Sequence, residues 1–248
     1  MGLEETPATA REMLATLEGP VDPRGEVQAA LLILRYANES ATSLRETCDM
    51  LRTERASPRT GQVAKLPRGT LTDQEQDLLR AMLVMAGAGL DATLKRLIKD
   101  ALPKLVDRDV DARTALEKFA ESKLRGAGDD PSDQGPPKFL APVLTARSPR
   151  DKVIELYIEA LVGQSLQSKD QVYKVAAALG LDPKKLGVEP RDLTHIFDVR
   201  NSIIHEMDAD PEGQRRKRVP RRLTHMREWS ATLLGVAHSI LLAVNAKI

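Results

Sequence analysis

The sequence predicts an all-α protein, and three observations carry that expectation. Aromatic residues make up only 3% of the 248 residues, whereas strands are enriched in Tyr, Phe and Trp. Apolar residues recur at three- and four-residue spacing over most of the chain, which is the period of a helix face. No segment alternates apolar and polar residues convincingly enough to make a strand, and no internal repeat is visible.

The elements follow in order. Residues 7–18 read as a short amphipathic helix, with Met13, Leu14 and Leu17 on one side and Pro20 and Pro23 interrupting it. A long helix is expected from Glu26 to about Arg55, with Leu31, Leu32, Leu34, Tyr36, Leu44, Cys48 and Leu51 as its apolar stripe. Residues 56–70 carry Pro, Gly and small polar residues and read as a loop. Thr72-Asp73-Gln74-Glu75 has the form of a capping box and opens a helix over 73–100. Its Ala86-Gly87-Ala88-Gly89 stretch suits close approach of another backbone, and Pro103 is expected to bend or end it. A further helix covers about 110–125. The Gly- and Pro-rich stretch 126–137 reads as a flexible linker. Helices are then expected at about 139–146, 149–165, 169–180 and 190–207, and a last one at about 221–246. The domain reading is an N-terminal helical segment over 1–60 and a helical domain over 71–248.

Composition bounds the function. Hydrophobic and charged fractions of 42% and 29% are ordinary for a soluble globular chain. A net charge of +1 excludes a polycation, so any nucleic-acid affinity must come from a local patch. The paucity of aromatics disfavours RNA recognition on a sheet of stacking rings. Cys48 stands alone, so neither a disulfide framework nor a cysteine metal cluster is expected. The acidic start Met1-Gly2-Leu3-Glu4-Glu5 does not look like a secretory signal. The most apolar stretch, Ala231 to Val244, is shorter than the roughly 20 residues of a membrane span and contains His238. A core helix and a cytoplasmic protein are expected, with no membrane partner.

One constellation stands out: Asp198-Val199-Arg200-Asn201-Ser202-Ile203-Ile204-His205-Glu206. On a helix, side chains advance about 100° per residue. Asn201 and His205 are therefore one turn apart on one face, and Asp198 lies two turns before His205 on that face. Arg200 starts well round the cylinder, but a long guanidinium can swing back. Phe197, Ile203, Ile204 and Met207 are expected to face the core. The segment Gln214 to Arg222 follows, with six basic residues of nine: Arg215, Arg216, Lys217, Arg218, Arg221 and Arg222. Such a patch suits RNA phosphates, in a salt-dependent way. The competing reading is a solvated loop neutralised by Asp208, Asp210 and Glu212, with His205 bonded to a carboxylate at a helix end and Arg200 in a surface ion pair with Asp198 or Glu206. His195, His225 and His238 carry less information; His195 is expected to be structural and His238 a satisfied core residue. No metal-ligand spacing, Gly-rich phosphate loop, nucleophile elbow or Walker-type lysine is present.

The wording of the first constellation resembles the R-x4-H signature, in its R-N-x3-H form, of the HEPN superfamily of small helical ribonucleases and nucleotide-binding proteins. The resemblance is sharp over 190–246. It is fainter over 72–106, where Leu78-Leu79-Arg80 through Gly89-Leu90-Asp91-Ala92-Thr93-Leu94-Lys95 is similar to the opening helix of the longer variants found near bacterial endoribonuclease domains. Residues 1–56 resemble nothing named. The resemblance implies a HEPN-like helical bundle with added N-terminal helices. It also implies metal-independent RNA cleavage without a cofactor, in bacterial defence or a toxin–antitoxin pair, with an antitoxin or another protein as partner. Arg200 would clamp phosphate, His205 would act as general acid or base, and Asn201 would orient them. Asp198 is added on geometry alone. One helix supplies one such histidine, so the resemblance implies a homodimer with a composite site. The final helix, through Leu233, Leu234, Val236, Ile240, Leu241 and Val244, is expected to help bury the dimer interface. A non-catalytic RNA- or nucleotide-binding module and a helical partner-binding protein are the other readings.

Overall fold

The computed structural model describes residues 20, 22–56, 71–125, 136–209 and 218–248. The helix expected over 7–18 lies outside them, as do most of the loops at 56–70 and 126–137. Among the described residues there are eight α-helices and no strand. They are α1 (Gly25–Ala56), α2 (Asp73–Arg108), α3 (Val110–Arg125), α4 (Pro136–Thr145), α5 (Pro149–Val162), α6 (Lys169–Ala178), α7 (Pro190–Glu206) and α8 (Leu223–Lys247), with a 3-10 turn at Pro183–Lys185.

The capping box forms as its sequence implies. Glu75 N donates to Thr72 Oγ1 at 3.2 Å, and Thr72 N donates to Glu75 Oε2 at 2.7 Å, so two orphan donors at the start of α2 are satisfied. The long stripes then decide the packing. α2 is the hub: it packs along α1 on one side and α8 on another, and touches α3, α5, α6 and α7. α1 runs antiparallel to α2, with Arg55 beside Glu75 at one end and Lys104 paired with Glu26 at the other. α8 runs parallel to α2, from Gln76 bonded to the Arg221 backbone up to Arg108 bonded to the Ile248 carbonyl. Leu34, Leu83, Leu90, Leu97, Leu234 and Ile240 are fully or almost fully enclosed in the shared core. Truncating any such leucine would cost about 2–5 kcal/mol.

Gly89 shows why the small-residue stretch is there. A Cβ at this position would stand 2.2 Å from Ala37 Cβ on α1. The two backbones approach too closely for any side chain, as the Ala-Gly-Ala-Gly run implies.

Four expectations need correction. Pro103 does not end α2, which continues to Arg108. The carbonyl that it leaves without a donor belongs to exposed Lys99, while Ala101, Leu102, Leu105 and Val106 hold the last turns in the core. On α1, Leu32 and Tyr36 point outward, at 49% and 59% exposure. The buried stripe runs through Leu31, Leu34, Ala37, Ala41 and Cys48, a narrower face than the leucine-rich text suggested. On α7, Phe197 and Ile203 face inward, but Ile204 and Met207 are exposed. Finally, Leu233, Leu234, Val236, Ile240, Leu241 and Val244 are all buried in the chain's own core. They face α2 and α1 and are not free to cover a second copy. By length and composition α8 could cross a membrane, yet 56% of that apolar window is buried here.

Candidate active site

α7 carries the motif, and its amphipathic pattern fixes where each residue points. Leu193, Ile196, Phe197, Val199, Arg200 and Ile203 form the buried face. Asp198 and His205 lie on the opposite, exposed face. Pro190 sits in the first turn, where its fixed φ favours helix initiation.

The helix closes with two left-handed residues, Met207 at φ 55° and Asp208 at φ 57°. Such conformations are disfavoured by about 1–2 kcal/mol in non-glycine residues. A buried ion cluster holds them. The Asp208 carboxylate is wholly enclosed and accepts Arg80 Nε at 2.9 Å and Arg221 Nε at 3.0 Å. Arg221 Nη2 bonds it as well. Arg80 in turn donates to the Val219 carbonyl at 2.8 Å and to Asp77 at 3.2 Å. Val219 N donates to Asp208 O at 2.8 Å, and Ala209 and Arg218 form an isolated antiparallel bridge. The end of α7, the start of α8 and the first turns of α2 are thus tied together.

This assigns part of the basic segment. Arg221 belongs to the Asp208 cluster. Arg218 donates to the Met207 carbonyl at 3.1 Å and pairs with Asp77. Arg222 is exposed, and its side chain has no bonded partner among the described residues. Arg215, Arg216 and Lys217 lie outside the described residues.

Arg200 occupies a different environment. It is buried, at 8% exposure. Its Nη1 donates to Asn201 Oδ1 at 3.0 Å, and Asn201 Nδ2 donates to the Gln167 carbonyl at 3.0 Å. Its Nε is enclosed without a hydrogen-bond partner. Gly87 on α2 makes room for the guanidinium, because a Cβ there would sit 3.3 Å from Arg200 Nε. Burial lowers the guanidinium's pKa, while the charge of Asp91 acts in the opposite direction. Asp91 also accepts Leu166 N at 2.7 Å and pairs with Lys95 at 3.0 Å. The residues 166–167 connecting α5 to α6 are therefore pinned twice beside Arg200, by Asp91 and by Asn201.

Arg200 and Asn201 are brought together. Asp198 and His205 share the outer face. Arg200 and His205 are about 140° apart around the axis, from five steps of about 100°, so within one chain they present different sides. His205 makes no hydrogen bond or ion pair among the described residues, which leaves its imidazole available. Arg200 forms no surface ion pair with Asp198 or Glu206; Glu206 instead accepts a bond from Ser202 at 3.1 Å. Sequence reasoning missed Gly87, Asp91 and the Gln167 carbonyl as the surroundings of Arg200. Only the glycine pair at 87 and 89 could have hinted at them. His195, expected to be structural, is exposed and stacks edge-on with Trp229. Among the described residues no group of three or more His, Cys, Asp or Glu side chains is arranged to hold a metal ion.

No family model, curated protein or solved structure matches this chain.

Proposed function

We propose that this protein is a metal-independent endoribonuclease of the HEPN type, acting in the cytoplasm in a defence or toxin–antitoxin role. The observation that carries this reading is Arg200. A buried cation with a neutral amide on Nη1, an enclosed Nε without a partner and only the nearby charge of Asp91 to offset its desolvation carries a cost in stability that binding of an anion would offset. Its planar fork suits a phosphate. Asn201, anchored on the Gln167 carbonyl, orients it. His205 stands exposed at the end of the same helix and suits proton transfer, since an ordinary imidazole titrates near ~6.5.

In the reaction a base takes the proton from the RNA 2′-hydroxyl, and that oxygen attacks phosphorus. The bond to the 5′-oxygen breaks, and an acid protonates the leaving oxygen. The products are a 2′,3′-cyclic phosphate and a 5′-hydroxyl, with no net redox change. One His205 cannot serve as base and acid at once, so a second copy supplies the other. Exposed Ile204 and Met207 flank His205 and offer that copy an apolar contact, in place of the final helix. The site is then isologous, with Arg200 and His205 of both chains converging. Asp198, on the His205 face, is the weakest member of the set. Of the basic residues, Arg222 is the free phosphate contact among those described.

The test is cleavage of mixed single-stranded RNA in EDTA, beside a His205→Ala control with unchanged helical circular dichroism. Wild type should give cyclic-phosphate ends, and His205→Ala should lose most activity. Full cleavage by His205→Ala removes the assignment. Replacing Arg222 with Gln should reduce the slope of log affinity against log salt by about one, without altering stability. An active protein that sediments strictly as a monomer would overturn the composite site.

A second reading has its own observation. The 140° separation of Arg200 and His205 favours a module that binds RNA or nucleotide without cutting it. In that case binding would fall on Arg200→Ala while His205→Ala would leave it unchanged.

A further inference from the structure

The connection between α5 and α6, residues 163–168, lies against the surroundings of Arg200, and three ties hold it there. The Leu166 side chain is buried, at 3% exposure. Leu166 N donates to Asp91 Oδ1 on α2 at 2.7 Å. The Gln167 carbonyl accepts Asn201 Nδ2 of α7 at 3.0 Å. On the α5 side of these ties, Gly163, Gln164 and Ser165 are exposed. On the α6 side, Gln167 N donates to Gln171 Oε1 at 2.6 Å, and Ser168 Oγ caps α6 by accepting Gln171 N at 3.3 Å. The segment has the form of a strap, anchored at α6, exposed toward α5 and latched at Leu166 and Gln167.

Both latches occupy groups that an anion site would use. Asn201 accepts Arg200 Nη1 through its oxygen and spends its donor on the strap carbonyl. Asp91 is the carboxylate whose charge reaches Arg200. Its Oδ1 is taken by the strap amide and its Oδ2 pairs with Lys95 at 3.0 Å, so it makes no bond to the guanidinium among the described residues. Arg200 Nε is enclosed without a partner and packs toward Gly87. An enclosed donor is reached only after something moves. α2 and α7 are poor candidates, because Leu83, Ala86 and Leu90 of α2 and Phe197 and Ile203 of α7 are buried in the core. The strap, held by two hydrogen bonds and one side chain, is the element that opens most easily.

We propose that residues 163–168 are an autoinhibitory strap: the Gln167 carbonyl holds the place of a phosphate oxygen on Asn201, and an RNA phosphate reaches Arg200 by displacing it. The identity of the ligand rests on the ribonuclease reading; the closure does not. Release of the strap frees Asn201 Nδ2 as a donor beside the guanidinium. It also lets the long Arg200 side chain turn off Gly87 and present its planar fork. Lys95 continues to neutralise Asp91, so the opened site keeps an excess of positive charge. Closure and anion binding exclude one another, and the fraction of open strap therefore scales the apparent affinity.

Phenylglyoxal, which adds to accessible guanidinium groups, reads the closure on the full chain without RNA, and mass spectrometry maps each modified arginine. Asp91→Ala removes the latch and the charge. Asp91→Asn removes the charge but keeps an oxygen for Leu166 N, so the difference between the two isolates the latch. Arg200 should be modified about tenfold faster in Asp91→Ala than in Asp91→Asn, with exposed Arg222 unchanged as the internal reference. Inorganic phosphate should slow the modification of Arg200 in Asp91→Ala. In wild type, Arg200 modification and hydrogen exchange of the Leu166 amide should be slowed by similar factors, because one opening admits both reagents. RNA cleavage in EDTA should be faster for Asp91→Ala than for Asp91→Asn. Equal modification of Arg200 in the two variants, or a freely exchanging Leu166 amide beside a protected Arg200 in wild type, would overturn the strap whatever the cleavage. An Arg200 unmasked in Asp91→Ala, with no cleavage by any form of the protein, would instead remove the ribonuclease reading and leave the strap standing.

Discussion

Two arginines of this fold are almost equally buried and differently treated. Arg80 is 5% exposed and Arg200 is 8% exposed. Every nitrogen of the Arg80 guanidinium has a partner: Nε on Asp208, Nη1 on Asp77 and Nη2 on the Val219 carbonyl. Arg200 has a neutral amide on Nη1 and nothing on Nε. A satisfied buried ion network holds a fold in one arrangement. A half-satisfied one costs stability, and under the proposed function that cost is offset when an anion binds. The comparison separates the ion-tied end of α7 from its half-satisfied middle.

Removing the shared anion should break the first arrangement most strongly. Asp208→Ala leaves Arg80 and Arg221 without their carboxylate and releases two left-handed residues. A loss of about 3–5 kcal/mol is expected in urea unfolding, from an uncompensated buried charge. A change within experimental error would mean that the cluster is solvated and the comparison fails.

The glycines of α2 sharpen it next. Gly89→Ala forces α1 away and should cost about 1–3 kcal/mol by overpacking. Gly87→Ala meets only the flexible Arg200 side chain at 3.3 Å. The better helix propensity of alanine, worth up to about 1 kcal/mol, should offset the crowding, so thermal unfolding should move little. RNA cleavage should nonetheless fall, because the guanidinium is displaced. Equal destabilisation by both substitutions would show that Arg200 is as rigidly seated as Ala37.

The smallest effect concerns acid stability away from α7. Burial raises the pKa of Asp109, but Lys247 and the Ala112 amide outweigh it, and the net shift is downward. A carboxyl lowered in the folded state contributes stability that is present above its ordinary value. That contribution is lost as pH falls through the lowered value. Asp109→Asn should therefore flatten the fall of melting temperature below about pH 4, and should change activity at neutral pH little. An unchanged acid limb would show that the tie from Lys247 to the α2–α3 corner contributes nothing to stability.

Much of this architecture is legible in the text because it is local. The capping box at Thr72, the close-approach glycines and the α7 boundaries all depend on residues within a few positions of one another. The surroundings of Arg200 are not local. Gly87, Asp91 and Gln167 lie 33 to 113 residues away in sequence, and no periodicity links them to the motif. The outward turn of Leu32, Tyr36, Ile204 and Met207 escaped for a related reason: apolar text marks a helix but does not say which neighbour covers it. The basic run was legible as composition only. Its division into a structural Arg221, a tethered Arg218 and a free Arg222 depends on where Asp77 and Asp208 fall in three dimensions.

The central claim is that Arg200 is kept for a ligand and not for the fold. Arg200→Met replaces the cation by an apolar chain of similar length, and its RNA cleavage in EDTA can be set beside its thermal unfolding. The account predicts cleavage reduced a hundredfold or more, with a melting temperature equal to or above that of wild type. Retained cleavage together with a lowered melting temperature would contradict it.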